Sequence, residues 1–225
     1  TRRYPLLKKG VLIKKFTSSL VHKFTSAQVH FRKGKMMIKL VIGHMKGGVG
    51  KSMLSKSLSL ELPKSILADI DVQGSTRRWI VQRRDHKKPA PAGTFGRPTQ
   101  IQSMIEQAED KNYKWFVCDT PPDHADQRAI ILALEKCDAV IIPTKMGDDD
   151  LTVLSKTAQL CIKMNKPYLV VINMGKRSRA LARAVTFVKK MISHFNEKGG
   201  RGTFCPVVIY DRMGHVDAIH LYSTA

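Results

Sequence analysis

The chain has 225 residues, the size of one ordinary domain, and 43% of them are hydrophobic, which is enough for a packed core. No apolar run approaches the roughly 20 residues that a membrane span requires. The four cysteines lie far apart without a CxxC pair, which excludes the common zinc and redox motifs. The 39 Lys and Arg residues outnumber the 18 Asp and Glu residues, and a net charge of +21 predicts contact with a polyanion.

The basic charge is concentrated in the N-terminal part of the chain. Residues 1–60 contain 14 Lys and Arg residues and no acidic residue. Residues 1–36 have no clear helical or strand period, so we treat them as a basic extension of a folded domain at 37–225. Three interpretations of the extension stay open. It is upstream sequence that adds nothing to the fold, with Met36 or Met37 as the natural start, or a DNA-binding arm, or a targeting peptide.

From Met37 onward, short apolar runs alternate with amphipathic segments. The runs are rich in β-branched residues, as strands buried on both faces are, and they lie at 38–43, 65–70, 114–119, 139–144, 168–173 and 205–210. The predicted helices lie at 50–61, 75–84, 99–109, 124–136, 150–164 and 178–196. The Pro- and Gly-rich segment 85–98 is predicted to be a surface loop. This order predicts a doubly wound α/β domain with a mostly parallel sheet and helices on both faces.

The first predicted strand runs directly into a glycine-rich loop, GHMKGGVGKS, at 43–52. Its glycines allow a tight turn whose amides, with the N-terminus of the next helix, can bind phosphate oxygens. Lys51 is placed to reach the β- and γ-phosphates of a nucleotide, and the Ser52 hydroxyl to ligate Mg²⁺. Met45 stands where the pattern G-x-x-x-x-G-K-[ST] has its first glycine, and Lys46 adds a cation that the pattern does not need. The loop predicts a P-loop NTPase.

The sequence KGGVGKS resembles the deviant Walker A box of the ParA/MinD ATPases. The resemblance continues, in the order that the family has, through ADIDVQGS (68–75), FVCDTPPD (116–123), CDAVIIPT (137–144), VVIN (170–173) and YDRMGHVDA (210–218). It implies a slow, partner-stimulated ATP hydrolase that uses ATP and Mg²⁺. Val72 departs from the family, which has proline there, but no catalytic residue is affected.

The resemblance also implies roles for single residues. Lys46 is expected to reach across a nucleotide-sandwich homodimer and to stabilise charge on the partner's phosphates, as an arginine finger does. Asp71 is expected to position or activate the attacking water. Asp119, at the end of an apolar strand, is the expected Walker B ligand of Mg²⁺, with Asp69 assisting the metal or the water. The expected nucleotide contacts are Gly47, Gly48, Val49, Gly50, Lys51, Ser52, Met53 and, at the adenine, Asn173. The plainer alternatives are that Asp69 or Asp71 caps a turn and that Asn173 is a buried turn residue.

Several functions share this ATPase site, so we use the size and charge of the chain to choose among them. The small size and strong basicity of the chain resemble those of the short ParA partition ATPases. This resemblance implies a cytoplasmic, nucleoid-associated protein that binds DNA without sequence preference and works with a centromere-binding adaptor. The candidate phosphate contacts are Lys176, Arg177, Arg179, Arg183, Lys189, Lys190 and Arg212, with a solvated helix face as the alternative reading.

Two other functions within the family stay open. They are a ParA-like cargo-positioning ATPase and a MinD-type membrane-associated positioning ATPase. Membrane contact is not expected, because HVDAIHLYSTA contains no Lys or Arg and does not read as an amphipathic membrane helix.

Overall fold

The computed structural model describes residues 37–71, 74–121, 127–176 and 178–209. Within these ranges the strands are β1 (Ile38–Ile42), β2 (Ser65–Asp69), β3 (Ala92–Phe95), β4 (Trp115–Asp119), β5 (Ala139–Thr144), β6 (Tyr168–Ile172) and β7 (Gly202–Phe204). The α-helices are α1 (Lys51–Glu61), α2 (Ser75–Asp85), α3 (Ile101–Asp110), α4 (Gln127–Lys136), α5 (Asp148–Lys163) and α6 (Arg179–Glu197). The predicted basic extension at 1–36 lies outside the described residues.

The strands form one parallel sheet in the order β3-β2-β4-β1-β5-β6-β7. The chain builds β2, β3 and β4 on one side of the central β1 and then crosses to the other side for β5, β6 and β7. Such a change of direction leaves a crevice at the carboxyl ends of the strands, where open α/β proteins bind ligands. The predicted doubly wound α/β architecture is confirmed.

Alternate strand residues pack on opposite faces of the sheet and divide the core into two layers. One layer joins Val41, Phe116 and Val170 to the buried faces of α3, α4, α5 and α6. The other joins Leu40 and Val117 to α1 and α2. Helices α2 and α6 therefore lie on opposite faces of the sheet. None of the helices in the described ranges is both long enough and apolar enough to cross a membrane.

Two predictions about strands were wrong. The predicted loop at 85–98 contains the edge strand β3, whose sequence AGTF has no run of large apolar residues. The last strand was predicted at 205–210 but lies earlier, as β7. Pro206 supplies no amide hydrogen to a strand ladder, which disfavours regular pairing around it. The residues that follow stay beside β6 through separate hydrogen bonds, from Cys205 N to Val170 O (2.9 Å) and from Ile209 N to Ile172 O (2.9 Å).

Strand β3 packs so closely against α2 that one of its residues must lack a side chain. A Cβ at Gly93 would lie 2.7 Å from both Ile80 Cδ1 and Phe95 Cζ. Phe95 is exposed and can move, but Ile80 is buried in the core. We expect Gly93→Ala to lower the free energy of unfolding by about 1–3 kcal/mol, the usual cost of overpacking. Urea unfolding followed by circular dichroism measures this, with an unchanged m-value.

Gly43→Ala is the matched control for this prediction. A Cβ at Gly43 would have its nearest neighbours, Ile130 Cδ1 and Val41 Cγ1, at 3.5 Å, which is an ordinary van der Waals distance. This variant should unfold close to the wild-type midpoint. Equal midpoints for the two variants would contradict the close packing of β3 on α2.

Candidate nucleotide-binding site

The glycine-rich loop joins the end of β1 to the start of α1 at the carboxyl edge of the sheet. Gly48 and Gly50 have φ angles of +70° and +91°, in the left-handed region that glycine enters without steric cost. A Cβ on Gly50 would lie only 2.1 Å from Asn173 Nδ2. Backbone conformation and packing thus both require glycine at position 50, as a tight phosphate-binding turn does.

Asn173, the residue after β6, holds this loop against the ends of β5 and β6. Its side chain is fully buried, and its Nδ2 donates to Val49 O at 2.8 Å. Its backbone N donates to Thr144 O at 2.7 Å, which ties the ends of β5 and β6 together. The arrangement fits the plainer interpretation of Asn173 as a buried turn residue, and its contact with adenine stays a prediction.

Lys51, the first residue of α1, folds back over the loop. Its Nζ donates to His44 O at 3.2 Å and to Lys46 O at 3.1 Å, and only 6% of the residue is exposed. The loop carbonyls therefore fix the ammonium group inside the loop. A phosphate bound by the loop amides would meet a positive charge at this position.

Strand register brings the two predicted metal-side carboxylates to the same level. Asp69 and Asp119 are partners in the pairing of β2 with β4, and Ile42 is the partner of Asp119 in the pairing of β1 with β4. The glycine-rich loop begins one residue after Ile42. The carboxyl ends of three adjacent parallel strands thus bring both residues to the edge of the sheet at which the loop begins.

Asp119 is buried among hydroxyl groups. Ser55 Oγ donates to Oδ1 at 3.1 Å, Thr76 Oγ1 donates to Oδ2 at 2.9 Å, and the Ser52 side chain also bonds to the carboxylate. Burial raises the pKa of Asp119 to about 6, although the hydroxyl hydrogen bonds favour the ionised form. The carboxylate and the Ser52 hydroxyl are hard oxygen donors. Mg²⁺ commonly uses one or two carboxylates together with substrate phosphates, so these residues fit the predicted metal.

Asp69 and Asp71 organise the segment that follows β2. Asp69 accepts hydrogen bonds from Asp71 N (3.0 Å) and from Arg77 N (3.2 Å), and burial raises its pKa. These contacts match the plainer interpretation in which Asp69 caps a turn. Asp71 is partly buried, and its backbone O accepts from Gly74 N at 3.0 Å. Residues 72–73 lie outside the described residues. The roles of Asp69 at the metal and of Asp71 on the water stay predictions.

The additional lysine of the loop is held by helix α5. Lys46 Nζ lies 2.8 Å from Asp150 Oδ1, in the first turn of α5, and this hydrogen-bonded carboxylate raises the pKa of Lys46. Met45 N donates to Thr157 Oγ1 at 3.2 Å, about two helical turns further along α5. Lys46 N donates to His44 Nδ1 at 2.9 Å. For Lys46 to reach a second subunit, its ion pair with Asp150 must open.

His44 contributes to the same arrangement as a neutral side chain. It is fully buried, and burial together with the nearby Lys51 ammonium lowers its pKa to about 4. The ring is therefore uncharged at neutral pH, and its Nδ1 can accept from the loop amide. A protonated ring would lose this acceptor and add a positive charge beside Lys51.

Sequence reasoning missed the side chains that position the predicted ones. They are His44, Ser55, Thr76, Asp150 and Thr157. Ser55 and Thr76 carried a weak signal, because each hydroxyl lies in the first turns of a helix that starts beside the site. Asp150 belongs to the acidic triplet at 148–150, which sequence alone explains as a favourable helix N-terminus. Its pairing with Lys46 depends on the tertiary structure.

The predicted DNA-contacting residues within the described ranges lie on one exposed surface at α6. Leu181, Ala184 and Val188 pack into the core, and the opposite side of the helix is exposed. The exposed cations are Lys176, Arg179, Arg183, Lys189 and Lys190. Arg177 and Arg212 lie outside the described residues. We call the five exposed cations the α6 basic surface.

Burial of Asp119 leads to a prediction about pH. Because its folded pKa of about 6 lies above the ordinary aspartate value of 3.8, the folded state binds more protons between these values. The free energy of unfolding should therefore fall as the pH rises from about 4 to about 6 and should then level off. Asp119→Asn removes the buried charge and should raise stability at pH 7 by about 1–3 kcal/mol, at roughly 1.36 kcal/mol for each unit of pKa. The same variant should lose affinity for Mg²⁺–ATP.

Urea unfolding between pH 4 and pH 8 measures the effect, with the exposed Asp110→Asn as the matched control. The control should keep the wild-type slope of stability against pH, whereas Asp119→Asn should flatten it. Identical profiles for wild type and Asp119→Asn would mean that the Asp119 carboxylate does not titrate as its burial requires.

No family model matches the chain. Curated relatives do match it. Over 157 residues the chain is 26% identical to the maintenance of carboxysome distribution protein A of Halothiobacillus neapolitanus, covering 65% of this chain and 70% of that protein. It is 28% identical over 120 residues to the protein of the same name from Gloeobacter kilaueensis, covering 52% of this chain and 53% of the relative.

Solved structures share the fold. The apo form of McdA from Cyanothece superposes with a TM-score of 0.63 at 15% identity, covering 82% of this chain and 90% of that one. A variant of the same protein has been solved as a complex with ATP. The cell division protein MinD of Aquifex aeolicus gives a TM-score of 0.63 at 16% identity, with coverage of 83% and 87%. A plasmid partition protein from Borrelia burgdorferi gives 0.57 at 14%, with coverage of 84% and 98%.

Proposed function

We propose that the chain is a positioning ATPase of the ParA/MinD group of P-loop ATPases and that it operates on DNA. It binds ATP and Mg²⁺, dimerises in the ATP-bound form, and uses slow hydrolysis to place a cargo along the nucleoid. One observation carries the proposal. Lys51 is fixed inside the loop, Lys46 lies beside it, and the hydroxyl-bound Asp119 lies at the adjacent strand end.

The curated relatives favour a large cargo over a replicon. Both are named for the distribution of carboxysomes. We therefore rank cargo positioning, one of the alternatives left open by the sequence, above plasmid or chromosome partition. Partition is the second candidate, because the fold is shared with a plasmid partition protein and because the α6 basic surface suits DNA. A centromere-binding adaptor belongs to the partition candidate, whereas the cargo candidate needs an adaptor on the cargo.

We propose a division of labour among the groups at this site. The loop amides and Lys51 bind the β- and γ-phosphates, and Ser52 with Asp119 hold Mg²⁺, which neutralises phosphate charge. Asp71 orients the attacking water. Lys46 supplies positive charge to the phosphates of the other subunit, where charge on the equatorial oxygens is stabilised in the transition state. Dimerisation then completes two sites at once.

The role of Lys46 in a dimer depends on its release from Asp150. The Lys46 ammonium is partly exposed, with 36% of its side chain accessible, whereas Asp150 is largely buried, with 12% of its side chain accessible. The exposed lysine is the partner that can leave the ion pair. Phosphate oxygens of a bound nucleotide offer Lys46 a more highly charged partner. We therefore treat Asp150 as a competitor for Lys46, which holds the lysine on its own subunit.

Substitutions of the two residues should act in opposite directions. Lys46→Ala should still bind ATP, because Lys51 and the loop amides remain, but should stay monomeric with a slowly hydrolysed ATP analogue. Asp150→Asn should dimerise at a lower analogue concentration than wild type, since the competing carboxylate is gone. Size-exclusion chromatography with light scattering over an analogue titration measures both effects.

Asp149→Asn is the matched control, because it removes the same charge from the same helical turn but is exposed and lies outside the ion pair. It should dimerise as wild type does. Normal dimerisation of Lys46→Ala would exclude the action of Lys46 in trans. Loss of dimerisation in Asp150→Asn would place Asp150 in the dimer contact and not in competition with it.

The α6 basic surface is the proposed DNA contact of the ATP-bound dimer. Arg179→Glu combined with Arg183→Glu should weaken ATP-dependent binding to unrelated duplexes by similar factors, since phosphate contacts carry no sequence information. ATP turnover without DNA should not change. Fluorescence anisotropy at several salt concentrations measures the affinities. The slope of log affinity against log salt should become smaller by about 0.9 for each phosphate that is no longer neutralised.

Lys111→Glu combined with Lys136→Glu is the control with the same change in net charge, on exposed positions at the end of α3 and in α4. If the control weakened binding as much as the α6 variant, only the total charge would matter. If one duplex lost affinity and others did not, base readout would replace the non-specific model.

A further inference from the structure

A second cluster of exposed cations lies on α2 and the turns that follow it. In residues 75–97 Asp85 is the single acidic residue, against seven Lys and Arg residues. Arg83 is buried, and the other six cations are exposed. They are Arg77, Arg78, Arg84, Lys87, Lys88 and Arg97, and we call them the α2 basic surface. None of them belongs to the DNA-contacting residues predicted from the sequence.

The two basic surfaces cannot be parts of one patch. Helix α6 packs on the layer that holds Phe116 and Val170, whereas α2 packs on the layer that holds Leu40 and Val117. Helix α2 also lies at the β3 and β2 edge of the sheet, and α6 at the β6 and β7 edge. The surfaces therefore occupy opposite faces and opposite edges of the domain.

The α2 basic surface is supported from beneath and is thus preformed. Trp79 is buried between α2 and α1, with Lys56 Nζ 5.5 Å and the Arg83 guanidinium 5.1 Å from its ring. At the start of the helix, Thr76 Oγ1 donates to Asp119 and Arg77 N donates to Asp69. Each subunit presents the three helical cations of this surface on a fixed helix, so a ligand would not have to order that part of it.

The chemistry of the surface fits a phosphate backbone. Four of the six cations are arginines, whose planar guanidinium binds phosphate oxygens in a bidentate manner. The helical cations run from Arg77 to Arg84, roughly 10 Å at about 1.5 Å per residue, and Lys87, Lys88 and Arg97 follow beyond the helix. Such a row suits the regularly repeated charges of a nucleic acid better than a single anion. Val81 and Phe95 are exposed (47% and 38%) among the cations, and the Arg77 guanidinium lies 5.6 Å from the Phe95 ring.

We propose that the α2 basic surface is a second contact for the phosphate backbone of duplex DNA. The inference rests on the proposed function, which supplies DNA as the class of ligand. It differs from that function in whether DNA binding requires nucleotide. The α6 basic surface is proposed to act in the ATP-bound dimer, whereas the α2 basic surface is complete in each subunit. It therefore binds DNA without nucleotide, and a subunit can contact DNA on two faces.

The test compares two triple variants of the full chain that remove the same charge. Arg84→Gln, Lys87→Gln and Lys88→Gln change the far end of the α2 basic surface, away from the contacts with Asp69 and Asp119. Lys111→Gln, Lys114→Gln and Lys136→Gln change exposed lysines elsewhere. Both variants keep residues 1–36, so any difference between them reports on α2.

Affinity for two unrelated fluorescent duplexes is measured by anisotropy, without nucleotide and with Mg²⁺–ATP, at several salt concentrations. We expect the α2 variant to bind both duplexes at least about 10-fold more weakly without nucleotide. Its slope of log affinity against log salt should become smaller by roughly 2–3, at about 0.9 per phosphate neutralised. The control should stay within about twofold of wild type. Both variants should keep wild-type ATP turnover in the absence of DNA.

Three outcomes would overturn the inference. The first is an equal loss of DNA affinity in the two triple variants. The second is unchanged DNA affinity of the α2 variant while the α6 variant loses ATP-dependent DNA binding. The third is an α2 variant that loses binding to fluorescent poly-L-glutamate but binds duplexes as wild type does. The second outcome would leave the proposed function intact, and the third would assign the surface to an acidic polypeptide. If the α2 variant lost DNA affinity without nucleotide and the wild-type protein never dimerised with ATP, the inference would be supported and the proposed function refuted.

Discussion

The rest of the site is arranged around the burial of one carboxylate, Asp119. A buried anion is unfavourable unless hydrogen-bond donors surround it, and here donors arrive from α1, through Ser52 and Ser55, and from α2, through Thr76. Satisfying this charge therefore fixes the starts of two helices relative to β4. Even so, the pKa of Asp119 stays above the ordinary value, so the group is held at a cost to stability.

Two helices reach the loop and the carboxylates from opposite faces of the sheet. Helix α5 holds the first half of the loop through Asp150 and Thr157, and its Ser155 Oγ contacts Met191 Sδ of α6 at 3.3 Å. Helix α2 holds the carboxylate side and carries its own basic surface. The α2 basic surface is thus connected to the candidate site through α2, and the α6 basic surface through α5 and α6. Each surface lies on a helix that packs on the site or on a neighbour of such a helix.

Much of the fold could be predicted from the sequence, because five strands are buried on both faces and read as continuous apolar runs. Strands β3 and β7 were not predicted, since AGTF and GTF carry too few large apolar residues. Their pairing is determined by backbone hydrogen bonds and by close packing, of β3 on α2 and of β7 on Tyr168. The loop glycines, Lys51 and Asp119 were recognisable because their chemistry demands fixed spacing. The partners of Lys46 and of Asn173 could not be predicted, because they lie in segments that are remote in the sequence. No local pattern indicates which remote group a side chain will contact.

The distribution of charge around the loop explains how nucleotide binding can free Lys46. The acidic triplet at the start of α5 places Asp150 against Lys46, and the positive helix end lowers the cost of collecting three carboxylates there. A bound nucleotide adds several negative charges within reach of the same lysine. These charges attract Lys46 and repel Asp150, and both effects weaken the ion pair. In the proposed dimer, ATP thus opens the contact that holds the lysine on its own subunit, and no separate trigger is needed to release it.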